Sequence, residues 1–261
     1  MLVLAILLFA LVEALTEFIP VSSTAHLIAL SEILKNFGFN NTNLMEFWQI
    51  FIQIGAAFAV IAYFLKDFKS LSKLLDKVLI SLVPLVLGFG LYGFIRGVLF
   101  HNLVAISIAL VVGGIVLILV ETLVDKKKLN LHKRLTDISY KQAFIIGLFQ
   151  LLAFLPGVSR SGAVIVGMLL LGYKRKDSAE YAFLLGVPTL LGAGGLDLIK
   201  HQAIFNGHWT LLSSLLVLAL TFLFSLVVIQ WFMQYLKSKN LKVFGWYRIA
   251  FGLILLFFIG K

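Results

Sequence analysis

Apolar runs of near membrane-spanning length, separated by short basic segments, occupy most of this chain and constrain its fold more than any other feature. A helix needs about 20 apolar residues to cross a bilayer. Stretches near 48–65, 79–96, 103–123, 180–199, 211–236 and 246–260 meet or approach that length. Of the 261 residues, 61% are hydrophobic and only 13% charged, against about 25% charged in a soluble domain. The expected fold class is therefore an all-α polytopic membrane protein with six transmembrane helices.

Two further apolar stretches, 1–34 and 142–172, are interrupted by Pro20 and by Pro156-Gly157 beside polar residues. Each half is too short to span. A re-entrant helical hairpin, entering and leaving on one side, suits them better, because irregular backbone at membrane depth is tolerated only where it lines a cavity or is buried in protein. The apolar N-terminus lacks a basic n-region and a credible cleavage site, so it is read as mature sequence.

Basic residues orient the chain. Segments 66–78, 124–141, 173–179 and 237–245 hold 16 of the 22 lysines and arginines, among them Lys66, Lys69, Lys128, Arg134 and Lys176. The positive-inside rule assigns all four to the cytoplasm and both termini to the exterior. The formal charge of +10 reflects this loop bias, and nucleic-acid binding is not expected. Cysteine is absent, which excludes disulfide and thiolate chemistry.

A repeat supports the same plan. At an offset of 137, Val21-Ser22-Ser23-Thr24 overlays Val158-Ser159-Arg160-Ser161, and Glu13 overlays Gln150; further on, Ile108–Glu121 resembles Tyr247–Gly260. One membrane domain, 1–261, then divides into a first repeat (1–123) and a second (142–261) joined by the basic loop 124–141. Each repeat has one hairpin and three spans, so the second is inverted. Inverted repeats with broken helices are a recurring plan for central membrane sites.

The polar clusters sit at the two interruptions. Charged side chains at bilayer depth cost about 2.5–3.5 kcal/mol on insertion scales and mark functional sites by default. Glu13 and Glu17, four apart, share one helix face; two ionised carboxylates there need a cation, a proton or an arginine. A divalent ion such as Mg²⁺ fits, since it takes oxygen ligands and keeps waters and substrate phosphates. Water-facing carboxylates at the membrane rim are the alternative. Ser22, Ser23 and Thr24 follow Pro20. One of them can cap a helix, but capping leaves His26 unexplained. Ser23 and His26, at i and i+3, can touch as an activated nucleophile and its base. In the second cluster Arg160 lies among Gly157, Ser159, Ser161 and Gly162. Helix-start amides and glycines cradle anions, and arginine grips phosphate bidentately; pairing with Glu13 or Glu17 is its alternative role. His101, His132, His201 and His208 fall in loops. Glu121, Asp197 and Arg248 lie near or within spans as candidate pair members.

The motifs Glu-x-x-x-Glu-Phe-x-Pro-Val-Ser-Ser-Thr-x-His (13–26) and Pro-Gly-x-Ser-Arg-Ser-Gly (156–162) resemble the two signatures of the undecaprenyl-diphosphate phosphatase (bacitracin-resistance) family. The resemblance covers the whole chain and includes Tyr247-Arg248. It implies hydrolysis of undecaprenyl diphosphate to undecaprenyl phosphate and inorganic phosphate, recycling the carrier for cell-wall synthesis. Glu13, Glu17, Ser23, His26 and Arg160 are then the catalytic residues. Ser22, Thr24, Gly157, Ser159, Arg160, Ser161 and Gly162 are expected to bind substrate, and Glu13 and Glu17 a metal, Mg²⁺ or Ca²⁺. The expected setting is the bacterial inner membrane with the site facing the exterior, a polyprenyl diphosphate and membrane lipids as partners, and a homodimer as a possible assembly. Two positions depart from the family pattern: Val164 stands where threonine is common, and Ala25 where glycine is. Ser23, His26 and a metal-bound water remain alternative nucleophiles, and a polyprenyl-phosphate flippase is the rival function.

Overall fold

The computed structural model describes residues 1–65, 72–99, 102–201 and 207–259. Among them are eleven α-helices and no β-strand. Lys66, Lys69, His101 and Lys261 lie outside the described residues.

All six expected spans are helical. They are α3 with α4 (Thr42–Phe51, Gln53–Phe64), α5 (Leu75–Leu99), α6 (Leu103–Asp125), α9 (Arg175–Lys200), α10 (His208–Tyr235) and α11 (Lys242–Ile259). Several start before the apolar run does, because hydropathy detects only the lipid-grade part of a helix whose first turn is polar. The Asn41 side chain caps α3 by accepting from the Leu44 amide at 3.2 Å, and Asn102 caps α6 by accepting from Ala105 at 3.0 Å. Among the described residues four segments, Thr42–Phe64, Leu103–Asp125, Arg175–Lys200 and His208–Tyr235, are long and apolar enough to cross a membrane.

The interrupted stretches are broken where expected. The first comprises α1 (Leu2–Glu17) and α2 (Ser23–Asn36). Pro20 has no amide to donate and disfavours helix in the residue before it. The second comprises α7 (Tyr140–Leu151), a 3-10 turn at Leu152–Phe154, and α8 (Arg160–Leu170). Gly157 sits there at φ +90, where a Cβ would lie 2.5 Å from the Ile106 carbonyl. A left-handed residue packed this tightly must be glycine.

Polarity is inside out. Along α1, Leu4, Leu7, Leu11 and Leu15 are exposed while Glu13 and Glu17 are buried. Along α11, Leu253, Ile254, Phe257 and Phe258 are exposed while Arg248 is 3% exposed. An apolar exterior over a polar interior is disfavoured in water and natural in lipid.

The chain forms two compact units, each drawn from separate stretches of the sequence. The first contains 1–18, 23–66 and 186–231. Its core joins Phe9, Phe47, Trp48, Ile52 and Val217, with Phe9 edge-on to Trp48 at 5.5 Å between centroids. Trp48 donates its indole N–H to Ser214 Oγ at 3.0 Å. The second contains 19–22, 67–185 and 232–261. There the Ser81 hydroxyl donates to the Ala143 carbonyl at 2.7 Å and shares a 2.8 Å hydrogen bond with the Tyr181 hydroxyl.

Candidate active site

Pro20 stops α1, and the chain turns through Ser22 before α2 begins at Ser23. Ser22 takes φ +76, an uncommon conformation for a non-glycine residue. The turn reverses the backbone enough for the Ser23 hydroxyl to donate to Glu17 Oε2 at 2.5 Å. Both side chains are buried, Ser23 at 7% and Glu17 at 6% exposure. A short hydroxyl–carboxylate bond of this kind is among the stronger hydrogen bonds proteins make. Sequence spacing paired Ser23 with His26; the structure adds Glu17, which spacing along one helix could not reveal because the bond crosses the break. Glu13 and His26 are buried in the same unit, and Thr24 is half-buried.

The second break starts α8 with Ser159, whose Oγ accepts from the Gly162 amide at 3.1 Å. The same oxygen shares a 3.1 Å hydrogen bond with the Ser161 hydroxyl. Ser159 is thus the helix cap, a role that sequence reasoning attached to the first cluster. Arg160 is half-buried and donates from Nη1 to the Ala182 carbonyl at 3.0 Å. Gly162 packs on the first break, since a Cβ there would lie 3.2 Å from the Pro20 Cβ. The 19–22 tetrapeptide therefore lies against the second cluster within one unit.

Arg248 is the residue whose part sequence reasoning missed. It donates to four backbone carbonyls: Leu110 at 3.3 Å, Pro20 at 3.0 Å, Ala109 at 3.2 Å and Gly157 at 3.1 Å. Among the described residues no carboxylate pairs with it. The other candidate pair members resolve differently. Glu121 receives the Arg175 guanidinium, Nε to Oε1 at 2.9 Å, and also the Leu241 amide at 2.9 Å. Asp197 lies 3.3 Å from the His201 ring.

Among the described residues, no group of three or more His, Asp or Glu could hold a metal ion. Two buried carboxylates on one helix face suit a hard cation that completes its shell with water and phosphate oxygens rather than with protein. Glu13 and Glu17 fit that limited role.

Residues 6–254 match the family described as bacitracin resistance protein BacA. The chain belongs to this family. Similar proteins include the undecaprenyl-diphosphatase of Persephonella marina, 40% identical over 255 residues and 97% of each chain. That of Aquifex aeolicus is 37% identical over 246 residues, 94% of this chain and 93% of the relative. Undecaprenyl-diphosphatase 1 of Clostridioides difficile is 39% identical over 263 residues, 95% of this chain and 93% of the relative. Ala25 and Val164, the two positions where the sequence resemblance implies a departure from the signature, are both buried. Valine at 164 keeps nearly the volume of threonine and removes a hydroxyl.

Proposed function

We propose that this BacA-family membrane protein hydrolyses undecaprenyl diphosphate to undecaprenyl phosphate and inorganic phosphate. The observation that carries the chemistry is the buried Ser23–Glu17 hydrogen bond, set beside kinship with undecaprenyl-diphosphatases over nearly the whole chain. A serine hydroxyl donating to a carboxylate is a nucleophile with its proton acceptor in place.

In this reading Ser23 Oγ attacks the terminal phosphorus as its proton passes to Glu17. The bridging P–O bond breaks, and the polyprenyl monophosphate departs. Water then cleaves the phosphoserine, releasing inorganic phosphate, while His26 serves as the second proton carrier. Arg160 holds the phosphate oxygens, aided by Ser22, Thr24, Ser161 and the amides around Gly157, Ser159 and Gly162. Phosphoryl transfer depends chiefly on positioning and charge stabilisation, so this clamp is the larger contributor. Glu13 and Glu17 would hold a divalent cation, Mg²⁺ or Ca²⁺, which when bound neutralises phosphate charge. The active site opens to the exterior of a bacterial inner membrane, and the two broken stretches are re-entrant hairpins of an inverted repeat.

A flippase for polyprenyl phosphate needs an anion site but no nucleophile; a serine hydrogen-bonded to a buried carboxylate favours the hydrolase. The test is phosphate release by the purified protein from undecaprenyl diphosphate. Ser23→Ala is expected to lose release by orders of magnitude, approaching the ~10⁶-fold of other nucleophile deletions, while still binding lipid. Arg160→Ala is expected to lose binding as well as turnover. Lipid movement across liposomes without phosphate release from the wild type would establish the flippase instead.

A further inference from the structure

We infer that Arg248 is a positioning residue for this reaction, a single guanidinium that fastens the two helix breaks in register. The inference rests on the phosphatase reading above.

Two of the four carbonyls that Arg248 holds belong to the breaks, Pro20 in the first and Gly157 in the second. At the repeat offset of 137, Pro20 and Gly157 are equivalent positions. Each lies two residues before a serine of its cluster, Ser22 and Ser159, and three before a principal reacting or binding residue, Ser23 and Arg160. One planar fork thus sets the spacing between equivalent points of both clusters. The remaining two carbonyls, Ala109 and Leu110, are consecutive residues of α6 and anchor the fork to a long helix. Four of the guanidinium's five N–H donors are engaged.

Chemistry explains why the Pro20 and Gly157 carbonyls are available. Helix ends leave carbonyls with no intrahelical donor, and a chain broken at membrane depth must satisfy them from elsewhere. A buried cation held only by carbonyl dipoles is an expensive way to do this where apolar packing and capping side chains serve other helices. A lysine has the charge but not the planar fork needed to reach four carbonyls at once. The fold also makes room for the fork. A Cβ at Gly113 would lie within 3.2 Å of three guanidinium atoms, including Nη2 and Cζ.

Arg248 needs no contact with substrate in this role. Loss of the fork leaves the reacting groups present but lets the Pro20 and Gly157 breaks drift, and displacements near 1 Å reduce turnover about 10²-fold. Such a loss appears in kcat rather than KM when the binding groups themselves remain.

The experiment compares wild type, Arg248→Lys and Gly113→Ala as full-length protein in detergent micelles. It measures kcat and KM for phosphate release from undecaprenyl diphosphate, with thermal unfolding recorded on the same preparations. Arg248→Lys is expected to fold and to lose at least 30-fold in kcat, with KM within threefold of wild type. Gly113→Ala puts a methyl where the guanidinium lies, in a residue that is the better helix former. It is expected to lose about tenfold in kcat with intact unfolding behaviour. Folded Arg248→Lys with kcat within threefold of wild type overturns the inference. If Arg248→Lys does not fold, Gly113→Ala decides, and wild-type kcat there overturns it. If the wild type itself releases no phosphate, the phosphatase reading fails and the catalytic role of Arg248 fails with it. Unaffected variants beside an active wild type refute the role of Arg248 alone.

Discussion

Shortening Glu17 by one methylene separates its hydrogen bond from its charge. Glu17→Asp keeps the carboxylate but withdraws it by about one C–C bond, ~1.5 Å. The Ser23 Oγ to carboxylate distance of 2.5 Å then opens to about 4 Å, beyond hydrogen-bond reach. A hydrogen bond to a charged group is worth about 1.5–3 kcal/mol. At about 1.4 kcal/mol per decade of rate, kcat should fall roughly 10- to 150-fold. Both groups are buried, so water is a poor substitute partner. The assay is steady-state phosphate release from undecaprenyl diphosphate, with Ser23→Ala and the double variant measured alongside. If Glu17 acts through Ser23, the double variant is no slower than Ser23→Ala. Glu17→Asp with kcat within threefold of wild type, or losses that multiply in the double variant, would refute the assignment of Glu17 as proton acceptor for Ser23.

Other outcomes follow from the same groups. Chelator is expected to abolish phosphate release and Mg²⁺ or Ca²⁺ to restore it, with Glu13→Gln raising the metal concentration for half-activity; full turnover in chelator would remove the metal role. A reporter active only outside the cell, fused after Lys261, should be active, whereas one inserted near Lys128 should be silent; the reverse pattern would overturn the orientation. Burial pushes the Tyr173 phenol up from 10.0 to about 12, and its hydroxyl donates to Gln142 Oε1 at 2.8 Å. Its folded-state pKa is raised, so the contribution is complete below pH 10 and disappears as pH rises through 12. The stability difference between wild type and Tyr173→Phe, read by thermal unfolding, should therefore shrink by roughly 2–3 kcal/mol over that window, and a constant difference would contradict this account.

Local physics was legible without coordinates. Apolar run length revealed long helices, four of them among the described residues long and apolar enough to cross a membrane, because lipid as a solvent demands ~20 such residues per span. Pro20 and Pro156-Gly157 located both breaks, because proline and glycine act on the backbone of their immediate neighbours. The polar clusters stood out because charge in lipid-grade sequence is costly, and their composition alone suggested phosphate chemistry. Helix starts were less legible, as at Thr42 and Leu75, where polar first turns precede the apolar run.

What tertiary structure decided were the partners. Helical spacing suggests that Ser23 and His26 can touch; the left-handed turn at Ser22 also brings Ser23 onto Glu17, and no residue type announces that turn. Glu121 looked like a candidate partner for any buried arginine; α9 supplies Arg175, 54 positions away. Among the described residues Arg248 pairs with no carboxylate and instead takes four main-chain carbonyls from three segments. Side chains are written in the sequence, whereas the main-chain carbonyls a guanidinium can reach are decided only once the two breaks and an intact helix have packed around it. For that reason the sequence could locate both polar clusters, and only the packed structure could show what their backbone and side chains bond to.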